Sequence, residues 1–305
     1  IVSGKGLKDF QIKQEFGQKT RASSMFLPIL LSRFKKARVP LPGGDNIGAR
    51  SLDRHTEALK SLGAQIKIDD GFIEAEALNG FIGTNYTFNK NTHTGTETFI
   101  LAACLAQGTS VLNNAAEEPE INDLISFLNL MGAKISRSGH RQITIQGVSS
   151  LKGADFELMP DRNDVVTFAC AALATGGDIL VEKAHEEHLK AFLAKVVAAG
   201  GGYEVLSEGI RFFTKGQLLV TTVETAIHPG FMTDWQALWV TLMTQAEGQS
   251  IVHERVFENR FGYVSDLQSM GAQIELFNPE VENPETFYEF NLSDVKENVF
   301  HAARI

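Results

Sequence analysis

Leu62-Gly63-Ala64-Gln65-Ile66 returns along the chain as Met131-Gly132-Ala133-Lys134-Ile135, as the shorter Ala199-Gly200-Gly201, and as Met270-Gly271-Ala272-Gln273-Ile274. The glycines at 63, 132, 200 and 271 stand 69, 68 and 71 residues apart, and a fixed period marks one supersecondary unit used repeatedly. Ahead of the glycine runs a helical pattern, as in Leu124, Phe127, Leu128 and Met131 at i, i+3, i+4 and i+7. Behind it hydrophobicity alternates as in a strand, as in Ala64-Gln65-Ile66-Lys67-Ile68. The glycine therefore ends a helix and opens a strand. A second mark keeps the same register in Gly108-Thr109-Ser110-Val111, Gly177-Asp178-Ile179-Leu180 and Gly248-Gln249-Ser250-Ile251. Each unit reads helix, Gly, strand, helix, Gly, strand, strand, which is an α/β repeat fold.

The chain opens on Ile1, and the last unit reads as incomplete at Ile305. A piece of a longer repeat protein is expected; a four-unit protein trimmed at one end fits the same pattern. The 305 residues exceed the usual single-core size, so two domains are expected. Periodicity breaks at Gly147-Val148-Ser149-Ser150-Leu151-Lys152-Gly153, which divides the four units two and two, at residues 1–158 and 159–305. The acidic stretch from Asn278 to Glu285 carries two prolines and reads as an exposed loop.

With 43% hydrophobic and 21% charged residues, the composition is that of an ordinary globular chain. No apolar stretch approaches the roughly 18 residues that span a bilayer, and the first residues lack the apolar run of a signal peptide. A cytoplasmic setting without membrane insertion is expected. The net charge of −9 argues against a nucleic-acid surface, so an anionic ligand needs a local cluster of cations. Cys104 and Cys170 lie on apolar helical stretches and read as buried small hydrophobes. His185 and His188 have no third partner at useful spacing, so neither a metal site nor a cofactor is expected.

Helix starts are well marked. Thr94-Gly95-Thr96-Glu97 and Thr233-Asp234-Trp235-Gln236 fit a capping box, and Thr20 and Asp161 stand as N-caps before Arg21 and Arg162. Such ends expose free N–H groups and the positive end of the helix dipole. If the repeat aims them alike, they gather with Arg21, Lys90 and Arg162 into an electropositive pocket.

The most distinctive stretch is Leu41-Pro42-Gly43-Gly44-Asp45-Asn46-Ile47-Gly48-Ala49-Arg50-Ser51-Leu52-Asp53. Consecutive glycines allow backbone excursions closed to other residues, and they carry Asp45 on the loop tip. Arg50 precedes the next helix, where its guanidinium can grip a phosphate with two parallel bonds.

This loop resembles that of the UDP-N-acetylglucosamine 1-carboxyvinyltransferases, enolpyruvyl transferases of the wider EPSP synthase superfamily. Their pattern is Leu-Pro-Gly-Gly-Cys-x-Ile-Gly-Ala-Arg-Pro-Val-Asp-Leu-His. Here Asp45 stands for the Cys, and Ser51 and Leu52 for Pro and Val. The resemblance continues through Thr94 to Glu97, Glu118 to Ile121, Pro160 to Arg162, His228 to Asp234 and Val256 to Phe261, in family order. It implies two domains forming an inverted α/β barrel, each of three βαβαββ units, with the active site in the cleft between them. Four Leu-Gly-Ala marks rather than six imply truncation at both ends: the first unit of one domain and the final unit of the other are expected to be missing, with an N-terminal Lys-Asn pair and a C-terminal Arg.

The implied reaction moves enolpyruvate from phosphoenolpyruvate to the 3′-hydroxyl of UDP-N-acetylglucosamine with loss of phosphate, the first committed step of peptidoglycan synthesis. It needs both an acid and a base. The donor role of the loop Cys falls to Asp45, a residue type that holds its proton at pH 7 only when buried or beside another anion. Asp234 matches the residue that deprotonates the sugar hydroxyl. Arg21, Arg50, Ser51, Leu52, Asp53, Arg54, Lys90, Asn91, Thr92 and His93 match substrate or phosphate contacts, and Val256 and Phe257 match the wall of the uridine site. His228 before Pro229 reads as a turn former. The rivals are a non-catalytic UDP-sugar binder, since two contact regions are missing, and a 3-phosphoshikimate 1-carboxyvinyltransferase-like enzyme, whose family lacks this loop.

Overall fold

The computed structural model describes residues 2–45 and 47–305; Ile1 and Asn46, the latter inside the glycine-rich loop, lie outside the described residues. The chain separates into two compact units. One comprises Ile1–Asp45 and Ser51–Glu157, the other Asn46–Arg50 and Leu158–Ile305.

The first unit runs α1 (Gln14–Gly17), α2 (Phe26–Phe34), β1 (Lys36–Pro40), α3 (Asp53–Ser61), β2 (Gln65–Asp69) and β3 (Phe72–Glu76). It then repeats as β4 (Asn85–Thr87), α4 (His93–Ala103), β5 (Thr109–Asn113), α5 (Pro119–Leu130), β6 (Lys134–Gly139) and β7 (Gln142–Gln146). The second repeat makes a sheet in the order β4-β5-β7-β6, with β4 parallel to β5 and the other pairs antiparallel. The first makes the order β1-β3-β2, and its parallel edge is a single bridge from Gln11 to Arg38. A βαβαββ motif is thus present twice.

The second unit follows the same plan with α6 (Arg162–Ala174), β8 (Asp178–Glu182), α7 (Lys190–Ala198), β9 (Gly201–Leu206) and β10 (Gly209–Thr214). Its last repeat holds β11 (Thr222–Glu224), α8 (Gln236–Met243), β12 (Ile251–His253), α9 (Val264–Ser269), β13 (Glu275–Phe277), α10 (Pro284–Phe287) and β14 (Ala302–Arg304). Their sheets have the orders β8-β10-β9 and β11-β12-β14-β13. The sequence-based expectation that the last repeat breaks off at Ile305 is corrected here: β14 pairs with both β12 and β13 and completes its four strands. All four sheets are open among the described residues.

The recurring glycines work as read. Gly63, Gly132, Gly200 and Gly271 have φ of 98°, 103°, 78° and 102°, the left-handed conformation that ends a helix without a Cβ penalty. In the third repeat the second mark shifts by one residue: Gly176, at φ 71°, takes the left-handed turn in place of Gly177.

Apolar helix faces and inner sheet faces make one core per unit. The first centres on Leu27, Leu31, Leu59, Phe99 and Ile145. The second centres on Phe192, whose ring lies 5.9 Å from those of both Trp235 and Trp239. Trp235 donates to Asn163 Oδ1 at 3.0 Å and so fixes the approach to α8 against the start of α6. Both cysteines are buried, and that burial pushes each thiol up to about 12. No helix is long and apolar enough to cross a membrane among the described residues.

Candidate functional site

In the first unit the candidate residues cluster at helix starts. Thr20 accepts from Ala22 N at 3.3 Å and caps the short helical turn Arg21–Met25, which sets Arg21 at its first position. Ser51 Oγ accepts from Asp53 N at 3.1 Å at the start of α3. Arg54 Nη1 donates to the Asn91 carbonyl at 3.0 Å, joining α3 to the segment before α4, and Asn91 Nδ2 donates to the Asn114 carbonyl at 3.0 Å. The cap of α4 is Thr92, which accepts from Gly95 N at 3.3 Å. The Thr94 expected in that role instead places its hydroxyl 3.0 Å from His55 Nε2; the helix begins two residues earlier than that cap implies, at His93. Lys90 is half-buried in the bend before Thr92, and His93 Nε2 lies 3.5 Å from Glu97 Oε1. Leu52 is a core residue, 7% exposed, so only its backbone is free to meet a ligand.

His55, which sequence reasoning did not single out, is the pivot of this cluster. Its Nδ1 lies 2.8 Å from Thr98 Oγ1, and Thr98 in turn donates to Met25 Sδ at 3.6 Å. The ring therefore carries its proton on Nδ1 and accepts from Thr94 on Nε2. Burial pulls the imidazole down from 6.5 to about 3, and the charges of Arg21 and Arg54 push the same way. A neutral ring adds no positive charge of its own beside those two cations.

The loop spans both units in the chain. Gly43 packs so closely on the Gln18 carbonyl that no Cβ fits, and Asp45 is exposed. In the second unit Gly48 lies against the Glu258 carboxylate, which accepts from Ala49 N. Arg50 has a φ of 47°, unusual for a residue with a Cβ, and its guanidinium lies 5.8 Å from the Phe257 ring.

Asp234 begins the approach to α8 within the turn Thr233–Trp235, and its Oδ1 accepts from Arg260 Nη2 at 2.7 Å. Arg260 also lies 5.6 Å from Phe257, so two guanidinium groups, Arg50 and Arg260, attend one ring. The capping role read for Thr233 does not occur. Its hydroxyl lies 2.9 Å from Glu254 Oε2, because a fully buried carboxylate is the more demanding partner. Glu254 Oε1 accepts from Val256 N at 2.8 Å and Phe257 N at 3.1 Å. Burial pushes this carboxyl up, against the opposing pull of those backbone donors and Thr225. Arg162, with Asp161 as its cap, is buried, 3.3 Å from His228 Nδ1 and 5.7 Å from the Trp235 ring. His228 precedes a cis Pro229, and the two residues lie in a turn.

A family model described as EPSP synthase (3-phosphoshikimate 1-carboxyvinyltransferase) matches residues 1–296. The chain belongs to the EPSP synthase family. It is 43% identical over 276 residues to a UDP-N-acetylglucosamine 1-carboxyvinyltransferase from Desulforapulum autotrophicum, covering 90% of this chain and 66% of the relative. It is 46% identical over 254 residues to one from Trichlorobacter lovleyi, covering 83% and 61%. The chain thus spans just under two thirds of the length of these curated relatives. Among solved structures, the enolpyruvyl transferase NikO from Streptomyces tendae superposes with a TM-score of 0.77 at 19% identity, over 97% of this chain and 66% of that one. An EPSP synthase from Acinetobacter baumannii gives 0.57 at 19% identity, over 85% and 62%. These two establish the enolpyruvyl transferase fold. Among the described residues no group of three or more His, Cys, Asp or Glu is placed to hold a metal ion.

Proposed function

We propose that this family member transfers enolpyruvate from phosphoenolpyruvate to the 3′-hydroxyl of UDP-N-acetylglucosamine, releasing phosphate, in the cytoplasm and without a cofactor. The observation that carries this reading is the identity of 43–46% to relatives bearing that activity as their name. Asp234 takes the proton of the sugar hydroxyl, and its ion pair with Arg260 holds the carboxylate in one orientation. Asp45 delivers a proton to the methylene carbon of phosphoenolpyruvate, which requires the loop to shield it from water at that moment. Arg21 and Arg50 neutralise phosphate charge, with free N–H groups at helix starts adding to them. Ser51 to Arg54 and Lys90 to His93 contact the nucleotide sugar, and Val256 and Phe257 flank its uracil.

The test is to incubate the chain with both substrates and look by mass spectrometry for the enolpyruvyl nucleotide sugar beside stoichiometric phosphate. Product dependent on both substrates is expected. Reaction with shikimate 3-phosphate as the acceptor in place of the nucleotide sugar overturns the substrate assignment. Saturable nucleotide-sugar binding with no product overturns the assignment of turnover to this chain.

A further inference from the structure

Three of the four repeats turn their final hairpin with two residues: 70–71 between β2 and β3, 140–141 between β6 and β7, and 207–208 between β9 and β10. The fourth uses residues 278–301 between β13 and β14, although those strands pair as their counterparts do. The excursion is therefore more than the hairpin needs. Its neck is closed by Asn278, which donates to the Val299 carbonyl at 3.0 Å and accepts from His301 N at 2.8 Å. Beyond the acidic, exposed stretch the chain turns back, and Tyr288 and Phe290 are buried at 5% and 6% exposure.

Phe290 stacks on Tyr288 and lies beside His301, and Tyr288 packs on His253 in the segment that leads to Val256 and Phe257. Tyr288 Oη lies 3.1 Å from His253 Nε2. Arg255 donates twice to the Phe287 carbonyl, at 3.2 and 3.1 Å, with its guanidinium 3.8 Å over the Phe287 ring, and its own carbonyl accepts from Glu289 N at 2.8 Å. Glu254 N donates to the His301 carbonyl at 2.7 Å, and Arg255 N to Thr225 Oγ1 at 2.8 Å. With the two bonds to Glu254 Oε1, four consecutive amides, 254 to 257, are all tied.

We propose that the 278–301 excursion is a positioning element, acting through Arg255 and Tyr288, that fixes the Val256–Phe257 turn as a preformed wall for the uridine of a nucleotide sugar; this use of the wall rests on the function proposed above. A preformed wall spares the ligand the cost of ordering it. The excursion holds the residues that anchor the wall, His253, Glu254 and Arg255, so its effect is on geometry.

The experiment compares the chain with Tyr288→Ala, Arg255→Lys, and a version in which Asn-Gly replaces residues 279–300. Tyr288→Phe, which keeps the ring contacts, is the conservative control. Amide hydrogen exchange is read at residues 254–257 and, as an internal reference, in β12 and β14; UDP-N-acetylglucosamine affinity is read by calorimetry. Faster exchange confined to 254–257 with roughly tenfold weaker binding is expected for the first three variants, with Tyr288→Phe close to the parent. If Tyr288→Ala and Arg255→Lys leave exchange at 254–257 unchanged, or loosen it with no loss of affinity, the positioning role is overturned. Should the parent itself not bind the nucleotide sugar, the site reading fails, and the exchange result alone still decides whether the excursion holds the turn.

Discussion

Each unit organises its candidate residues around one buried ionisable side chain, and the two choices are opposite in kind. In the first, His55 sits neutral between Thr94 and Thr98 beside Arg21 and Arg54. In the second, Glu254 draws Thr233, Val256 and Phe257 to one carboxyl group. A neutral hub adds no further positive charge beside the two neighbouring guanidinium groups. A carboxyl hub spends its acceptor capacity on the backbone and leaves Asp234 to pair with Arg260 at the surface. Both hubs tie neighbouring segments together, one through a neutral ring and the other through a carboxyl group.

The largest expected effect lies on the second unit's side of this contrast. Asp234→Asn keeps an oxygen for Arg260 and removes the base, so turnover should fall by ~10²–10⁴ while the unfolding temperature stays near that of the parent. A parallel loss of stability would assign Asp234 to structure instead.

Next is the hub itself. Glu254→Ala strands two backbone amides and a buried hydroxyl, at a cost of about 3 kcal/mol or more, measurable by urea unfolding. A change below ~1 kcal/mol would mean that Glu254 holds nothing in place.

The two hubs also differ in sign with pH. The folded state holds His55 at about 3 against 6.5 when unfolded, so the unfolded chain binds the extra proton between those values. Stability from this site is complete above pH 6.5 and lost as pH falls, by about 3 kcal/mol between pH 7 and 4. Glu254, pushed up from 4.5, works the other way, its contribution falling as pH rises above that value. His55→Asn should flatten the acid side of the stability profile, with part of the slope retained by His253, which burial lowers to about 4. An unaltered acid slope would contradict the neutral hub.

Smallest is Arg50→Lys, which keeps the charge and loses the paired bonds; a tenfold to hundredfold drop in turnover is expected. Unchanged kinetics with phosphoenolpyruvate would leave Arg50 a structural role alone.

The repeat was legible because it is local: a helical stripe, a left-handed glycine and an alternating strand each lie within a few residues. Thr20 and Asp161 were legible as caps for the same reason. Thr94 and Thr233 carry the same local signature, yet each hydroxyl is drawn to a buried partner far along the chain, His55 or Glu254. Such partners leave no spacing to read. Arg260 lay inside a quoted motif, and only the fold reveals its pairing with Asp234. The stretch 278–285 reads correctly as polar and mostly exposed, but the residues just beyond it are buried. A single connection far longer than its three siblings was the available signal.

The most direct test is phosphate release from phosphoenolpyruvate by the parent chain, Asp45→Asn and Asp234→Asn, each with and without UDP-N-acetylglucosamine. The account predicts release by the parent only when both substrates are present, and its loss in either variant. Release that persists at the parent rate in Asp45→Asn would contradict the assignment of Asp45 as proton donor, and release that ignores the nucleotide sugar would contradict the function itself.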